Sequence, residues 1–107
     1  MRGSLVTVSQ QGDFGKPRPA VIIQSDHFAD HSSATVLLVS STLVSAPLLR
    51  ITVNPSIQNG LKAVSQVMVD KAYTFRKEKL SPSFGQLEET IMLEVDRCLA
   101  VFMGIAK

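Results

Sequence analysis

Four short groups of residues in this sequence have the types and spacing to do chemistry. Lys16-Pro17-Arg18-Pro19 sets two cations between two prolines. A rigid base of that kind is what an arginine needs to meet a phosphate in fixed geometry. The same residues also read as a proline-stiffened turn with solvated cations. Ser40-Ser41-Thr42 places hydroxyls at the end of one apolar run, and Asp70-Lys71 ends another. Polar residues at strand ends line many sites, and many simply terminate strands. Asp26, His27, Asp30 and His31 repeat an i, i+4 spacing that could hold a divalent ion or serve acid–base work. No apolar run accompanies them to carry a helix and no third ligand lies close by, so a solvated polar loop is the better account of them. There is no HExxH, no GxSxG elbow and no glycine-rich phosphate loop. No metal site and no cofactor are expected.

The elements that must position these groups follow from hydrophobic period. Leu5-Val6-Thr7-Val8 is short and β-branched and reads as a strand. The turn-rich stretch Gln10 to Pro19 reads as a loop leading into a buried strand, Ala20 to Gln24. Ala34 to Ser40 is a third strand, and Leu49 to Val53 alternates with period two, the mark of a half-buried fourth. Ser65 to Val69 and Ala72 to Phe75 read as a fifth strand and a shorter sixth. The period then changes. Ile91, Met92, Val95, Cys98, Leu99 and Phe102 fall on one face of a helix predicted over 88–103, with Gly104 as its stop. Five to six short strands and one C-terminal helix predict a mainly β fold, a small, strongly bent sheet or partly open barrel.

Length and composition bound the rest. The 107 residues make one domain, 1–107, and 45% apolar content supplies its core. Five Phe, one Tyr and no Trp argue against recognition of nucleic acid chiefly by stacking. The net charge is only +2, yet residues 1–80 hold nine Lys/Arg against five Asp/Glu, while 81–107 hold two against four. That asymmetry fits a basic face for an anionic partner, or chance. The lone cysteine, Cys98, lies on the apolar helix face and reads as a buried structural thiol. No apolar stretch approaches the length of a membrane span, and the N-terminus lacks the apolar run of a secretory signal, so the cytoplasm is the expected compartment.

Taken in order and spacing, several segments resemble the PemK/MazF family of toxin endoribonucleases from bacterial type II toxin–antitoxin modules. They are Arg2-Gly3, Gly12-Asp13-Phe14-Gly15-Lys16-Pro17-Arg18-Pro19-Ala20, Ile23-Gln24-Ser25-Asp26, Ala46-Pro47-Leu48, Arg50-Ile51-Thr52-Val53, Asn59-Gly60-Leu61 and Ser65 to Lys71. The closing helix completes the set, and the likeness covers Arg2 to Ala106. The resemblance implies an SH3-like barrel with a C-terminal helix, usually a homodimer. It also implies metal-independent, sequence-specific cleavage of single-stranded RNA, restrained by a cognate antitoxin. The family's catalytic arginine lands on Arg18, its strand-end threonine on Ser40, and the acidic residue some members use on Asp70. Lys16, Gln66, Lys71 and Arg76 are the candidates for phosphate or base contact.

The resemblance also implies a mechanism. The RNA 2′-OH attacks the adjacent phosphate, leaving a 2′,3′-cyclic phosphate and a free 5′-OH. Arg18 stabilises the phosphorane and stands as donor to the leaving oxygen, and Ser40 donates to a non-bridging oxygen. Two departures from the family pattern bear on activity. Ser4 stands where Asp is usual, and Ser40 replaces Thr, keeping the hydroxyl with more rotamer freedom. Two other readings follow. One is a CcdB-like gyrase poison, although the tail Phe102 to Lys107 lacks that family's Trp. The other is a catalytically weak member that only binds antitoxin.

Overall fold

β-branched and aliphatic residues in period-two runs build this fold, and their alternation gives the sheet two apolar faces. The computed structural model describes residues 1–9 and 16–107. Among these, six strands form one sheet: β1 (Ser4–Ser9), β2 (Pro17–Ile22), β3 (Ser33–Ser40), β4 (Arg50–Val53), β5 (Ser65–Arg76) and β6 (Gly85–Gln86). A single α-helix, α1 (Glu89–Phe102), follows, close to the predicted 88–103. The strand order is β4-β5-β3-β2-β1-β6, and every neighbouring pair is antiparallel. The sheet curls because the chain leaving β5 returns to the outer edge of β1. There Leu80 bridges Val8, and Ser81 N–H donates to Thr7 O at 3.0 Å. The result is the curled, mainly β half-barrel with one C-terminal helix that the sequence predicts.

One face of the sheet packs on the helix. Leu5, Val21, Leu37, Val39, Val67 and Val69 meet Met92, Val95 and Cys98 of α1, all of them buried. Fully burying one such aliphatic side chain is worth roughly 1.5–3 kcal/mol, so this face dominates stability. Phe102, predicted on the same stripe, is instead 50% exposed, at the last residue of α1. The other face turns inward on itself around Val6, Val8, Ala20, Val36 and Leu38, closed by Phe75 and Leu80.

Two sequence expectations change here. The Pro17-Arg18-Pro19 segment is strand rather than loop. Pairing of β2 with β3 begins only at Ala20, so residues 17–19 are laddered on one side, where a strand tolerates proline. The predicted fifth and sixth strands are one continuous β5. Leu37 and Val39, two residues apart on β3, pair with Ala72 and Val67, five apart on β5. Three extra residues therefore bulge from β5 around Asp70 and Lys71, where the sequence pattern breaks.

Two polar ties lock the periphery. Arg2 donates to Ile23 O at 2.7 Å and, through both terminal nitrogens, to the Asp96 carboxylate of α1 at 2.5 and 3.3 Å. Asn59, fully buried, accepts from Ser56 N and Leu61 N at 3.0 Å each. Its amide donates to Asn54 O at 2.9 Å and to the Glu88 carboxylate at 3.1 Å. Glu88 also accepts from Ser56 Oγ at 2.5 Å. The Ser56 bond, aided by Asn59 and the Glu88 backbone N–H, outweighs burial and holds the Glu88 carboxyl below its ordinary range. Gly85 sits against this turn: a Cβ there would lie 2.1 Å from Asn59 O. Gly85→Ala should therefore cost about 3 kcal/mol in urea unfolding, and an unchanged midpoint would show that the turn gives way freely.

Candidate active site

Register brings the two principal candidates together. Ala20 pairs with Leu38, Val21 with Leu37 and Ile22 with Val36. The pairing stops at Ala20–Leu38, and side-chain alternation beyond it puts Arg18 on the face of Ala20 and Ser40 on the face of Leu38, the same face at the same end of the two strands. Arg18 is half-buried and pairs with Val8 on its other side. The row continues across the sheet: Ser40 pairs with Gln66, and Gln66 with Thr52 of β4. Three strands thus present Ser40, Gln66 and Thr52 side by side, and Arg18 lies on the same face near the start of β2.

The Ser40 hydroxyl is oriented by its neighbourhood. Its Oγ accepts from Thr42 N–H at 3.0 Å. A hydroxyl has one proton and two lone pairs, so this bond engages an acceptor site and leaves the proton to be donated. Ser40 in place of Thr therefore keeps a directed donor, its rotamer set by the turn that follows β3. Ser4, the other departure, lies at the start of β1, where it is buried and donates to Gln86 Oε1 at 3.2 Å. Arg18 pairs near the opposite end of β1, so the Ser4 change falls outside this row.

The remaining candidates divide by placement. Gln66, expected to touch RNA, is buried, with its amide already engaged. Oε1 accepts from Val44 N at 3.0 Å, while Nε2 donates to Val44 O at 3.1 Å and to Thr52 Oγ1 at 3.2 Å. It mimics a strand neighbour and holds the segment after β3 in place. Asp70 lies in the β5 bulge and accepts from Arg50 Nη1 at 2.5 Å, both side chains mostly shielded. Burial pushes its carboxyl up. The Arg50 hydrogen bond, its own backbone N–H and the charges of Arg50 and Lys71 outweigh that, so it stays below its ordinary range. An ionised, paired carboxylate is poorly suited to give or take a proton. Lys71 is exposed in the same bulge, and Lys16 is exposed just before β2. Arg76 pairs with Ser33, at the far end of β3 from Ser40, about 23 Å away along the strand.

The histidines also lie at that far end. His31 Nδ1 sits 3.1 Å from Ser33 Oγ, and both His27 and His31 are exposed. Among the described residues no three His, Cys, Asp or Glu side chains gather as metal ligands. The Cys98 thiol is buried, and burial pushes its pKa up, as for a structural thiol. The part of the Gly12 to Gly15 segment preceding Lys16 falls outside the described residues. Arg50 is the residue sequence reasoning passed over. Its signal was present in the alternating Arg50-Ile51-Thr52-Val53, whose polar members share the Gln66 face.

Comparison with known proteins adds independent findings. A family described as PemK-like, MazF-like toxin of type II toxin–antitoxin system matches residues 1–103. A protein named "Probable endoribonuclease MazF" from Mycolicibacterium smegmatis is 43% identical over 106 residues, which cover 98% of this chain and 97% of that one. A mycobacterial endoribonuclease solved in complex with its cognate antitoxin superposes with a TM-score of 0.84 at 18% identity, over 100% of this chain and 97% of that chain. The Mycobacterium tuberculosis toxin MazF-mt6 gives 0.79 at 18% identity, over 96% and 99%. At such identities the two structures establish the fold. No helix among the described residues is long and apolar enough to cross a membrane.

The Arg50–Asp70 pair makes stability depend on pH. A carboxyl held below its unfolded pKa contributes fully above that unfolded value, and the contribution is lost as pH falls through the folded value. Asp70→Asn should be less stable than wild type at pH 7, with the gap closing below about pH 4 in chemical denaturation. Equal stability at pH 7 would show that the pair contributes nothing.

Proposed function

The chain belongs to the PemK-like, MazF-like toxins of type II toxin–antitoxin systems, and from that premise we propose that it cuts single-stranded RNA with Arg18 and Ser40. It is a MazF-like endoribonuclease toxin, and the proposal concerns how its own residues do the work. The observation that supports it is the β2–β3 pairing from Ala20 to Ile22, whose alternation directs Arg18 and Ser40 to one face at the same end of the sheet, with the acceptor side of Ser40 engaged by Thr42.

The 2′-oxygen of the substrate bonds to phosphorus as the bond to the 5′-oxygen breaks. The products are a 2′,3′-cyclic phosphate and a 5′-hydroxyl. The 2′-OH proton leaves to water, and the departing oxygen gains one. Negative charge builds on the phosphorane oxygens in between. Arg18 meets that charge with a planar fork of donors, and Ser40 adds one more. Such donors act mainly by being in place beforehand, which is what a laddered strand with two prolines provides. Asp70 supports the site as the anchor of Arg50, which keeps a second guanidinium directed on the same face. Lys16 and Lys71 are placed to draw in the RNA backbone, and Gln66 shapes the floor. Arg76 stands too far along β5 to touch the reacting phosphate.

Two partner assignments belong to the same proposal. Phe102, Met103 and Ile105 are exposed at and just beyond the C-terminal end of α1, Ile105 at 81%, an apolar cluster that a second copy of the chain would cover. A cognate antitoxin with an acidic segment would suit the basic sheet and loops. The gyrase-poison reading is not favoured, since the family match and the 43% identical relative both point to the ribonuclease branch.

Purified protein should cut RNA in excess EDTA and leave 2′,3′-cyclic phosphate ends. Arg18→Ala should cut about 100- to 1,000-fold more slowly with its thermal midpoint retained. Wild-type speed in Arg18→Ala would remove Arg18 from the mechanism, and intact RNA with the wild type would overturn the ribonuclease reading itself.

A further inference from the structure

A cavity of about 520 Å³ opens on the other side of β2 from Arg18. Pro17, Pro19, Thr7, Ser41, Lys62 and Phe84 are among the residues that line it. Alternation along β2 explains this placement: Arg18 points to one face of the sheet, its two proline neighbours to the other. Arg18 and the two prolines are adjacent residues of β2, so the cavity and the proposed reaction centre share that strand as their partition. Its volume lies in the range of small-ligand sites.

The cavity has rigid walls. Gly60 carries a φ of +69°, and a Cβ there would lie 2.7 Å from Phe84 O and 3.2 Å from Phe84 Cδ1. Only glycine lets the turn close onto Phe84 in this way. The turn is pinned from below by the buried Asn59 and its bonds to Ser56, Leu61, Asn54 and Glu88. Phe84 is fixed through its backbone N–H, which donates to Leu5 O at 2.9 Å, yet 40% of the residue stays exposed. A large aromatic ring held open on an anchored backbone, beside a cation and hydroxyls, is a stacking surface with a phosphate contact and hydrogen-bonding groups.

We propose that this cavity is a nucleobase subsite: Phe84 stacks on the base of a nucleotide next to the cut, and Lys62 contacts its phosphate. The inference deepens the ribonuclease reading and rests on it. RNA laid over β2 would present its reacting phosphate to Arg18 on one side and a splayed base to Phe84 on the other. Recognition of the base would then be separated from the chemistry by one strand.

The test uses the full chain and single-stranded RNA of randomised sequence in EDTA. Phe84→Leu, which keeps an apolar side chain but loses the π-face, and Lys62→Ala should each raise KM about tenfold. Phe84→Leu should also loosen the choice of base at one position beside the cut, and Phe84→Ala should repeat its effect. In a second arm, Arg18→Ala protein is irradiated with RNA carrying 4-thiouridine near the cut, and the cross-linked peptide should contain Phe84 or Lys62. Wild-type KM and cut-site choice in the variants, cross-links only elsewhere, or an effect confined to antitoxin binding would each overturn the subsite. If wild-type protein leaves RNA intact, the ribonuclease reading fails, whereas the cross-linking arm still reports on the cavity by itself.

Discussion

The register in which β2 pairs with β3 is the constraint on which the site depends. Side chains alternate between the two faces of a sheet, so a slip of one residue would send Arg18 into the helix-facing layer and Pro19 out of it. Three features fix that register. Val21 and Leu37 face each other under α1, and Ala20 and Leu38 face each other inside the curl. On the other flank, β1 pairs with β2 over five positions from Leu5–Val21 to Ser9–Pro17. Both faces of β2 are apolar at Ala20 and Val21, so a slip gains nothing on either side. The polar chemistry is confined to the end of the strands, beyond the last apolar pair.

Polar groups inside the fold are kept few and fully engaged. Among the described residues, no buried side-chain nitrogen or oxygen lacks a hydrogen-bond partner. Gln66 and Asn59 show why this matters for function. Each is buried, and each spends its amide on the backbone of a loop: Val44 after β3, and the 54–61 turn before β5. A buried amide left unpaired would cost on the order of 1–3 kcal/mol, so the loops that border the site are held nearly as firmly as strands. This is preorganisation achieved with neutral groups, and it leaves the charged ones for the surface.

Much of the architecture was legible in the residues. The strands around Val6, Val21, Val36 and Ile51 and the helix carrying Met92, Val95 and Cys98 announce themselves by period and β-branching. Arg18 and Ser40 emerge from their positions at the ends of apolar runs and from the family pattern. What stayed hidden depends on three-dimensional context. Pro17 and Pro19 look like loop residues because the one-sided ladder that tolerates them is a property of the sheet. Asp70-Lys71 looks like a strand end because a bulge and a break have the same local pattern. Gln66 looks like a contact residue because burial of a polar amide depends on Val44, 22 positions away. Arg76 looks close to Lys71, but five residues of extended chain carry it to the opposite end of the sheet.

The Arg2–Asp96 pair has a consequence for how the chain is made. It joins residues 94 apart, and β1 is completed only when Gly85 and Gln86 arrive at its edge. During synthesis the first strand stays unpaired on that side until residues 85 and 86 have left the ribosome. The helix that covers Leu5, Val21 and Leu37 is later still. Both contacts join residues far apart in the chain, the kind of pairing that closes slowly. β1 flanks β2, so the strand that carries Arg18 sits in a completed sheet only once residues 85 and 86 are in place.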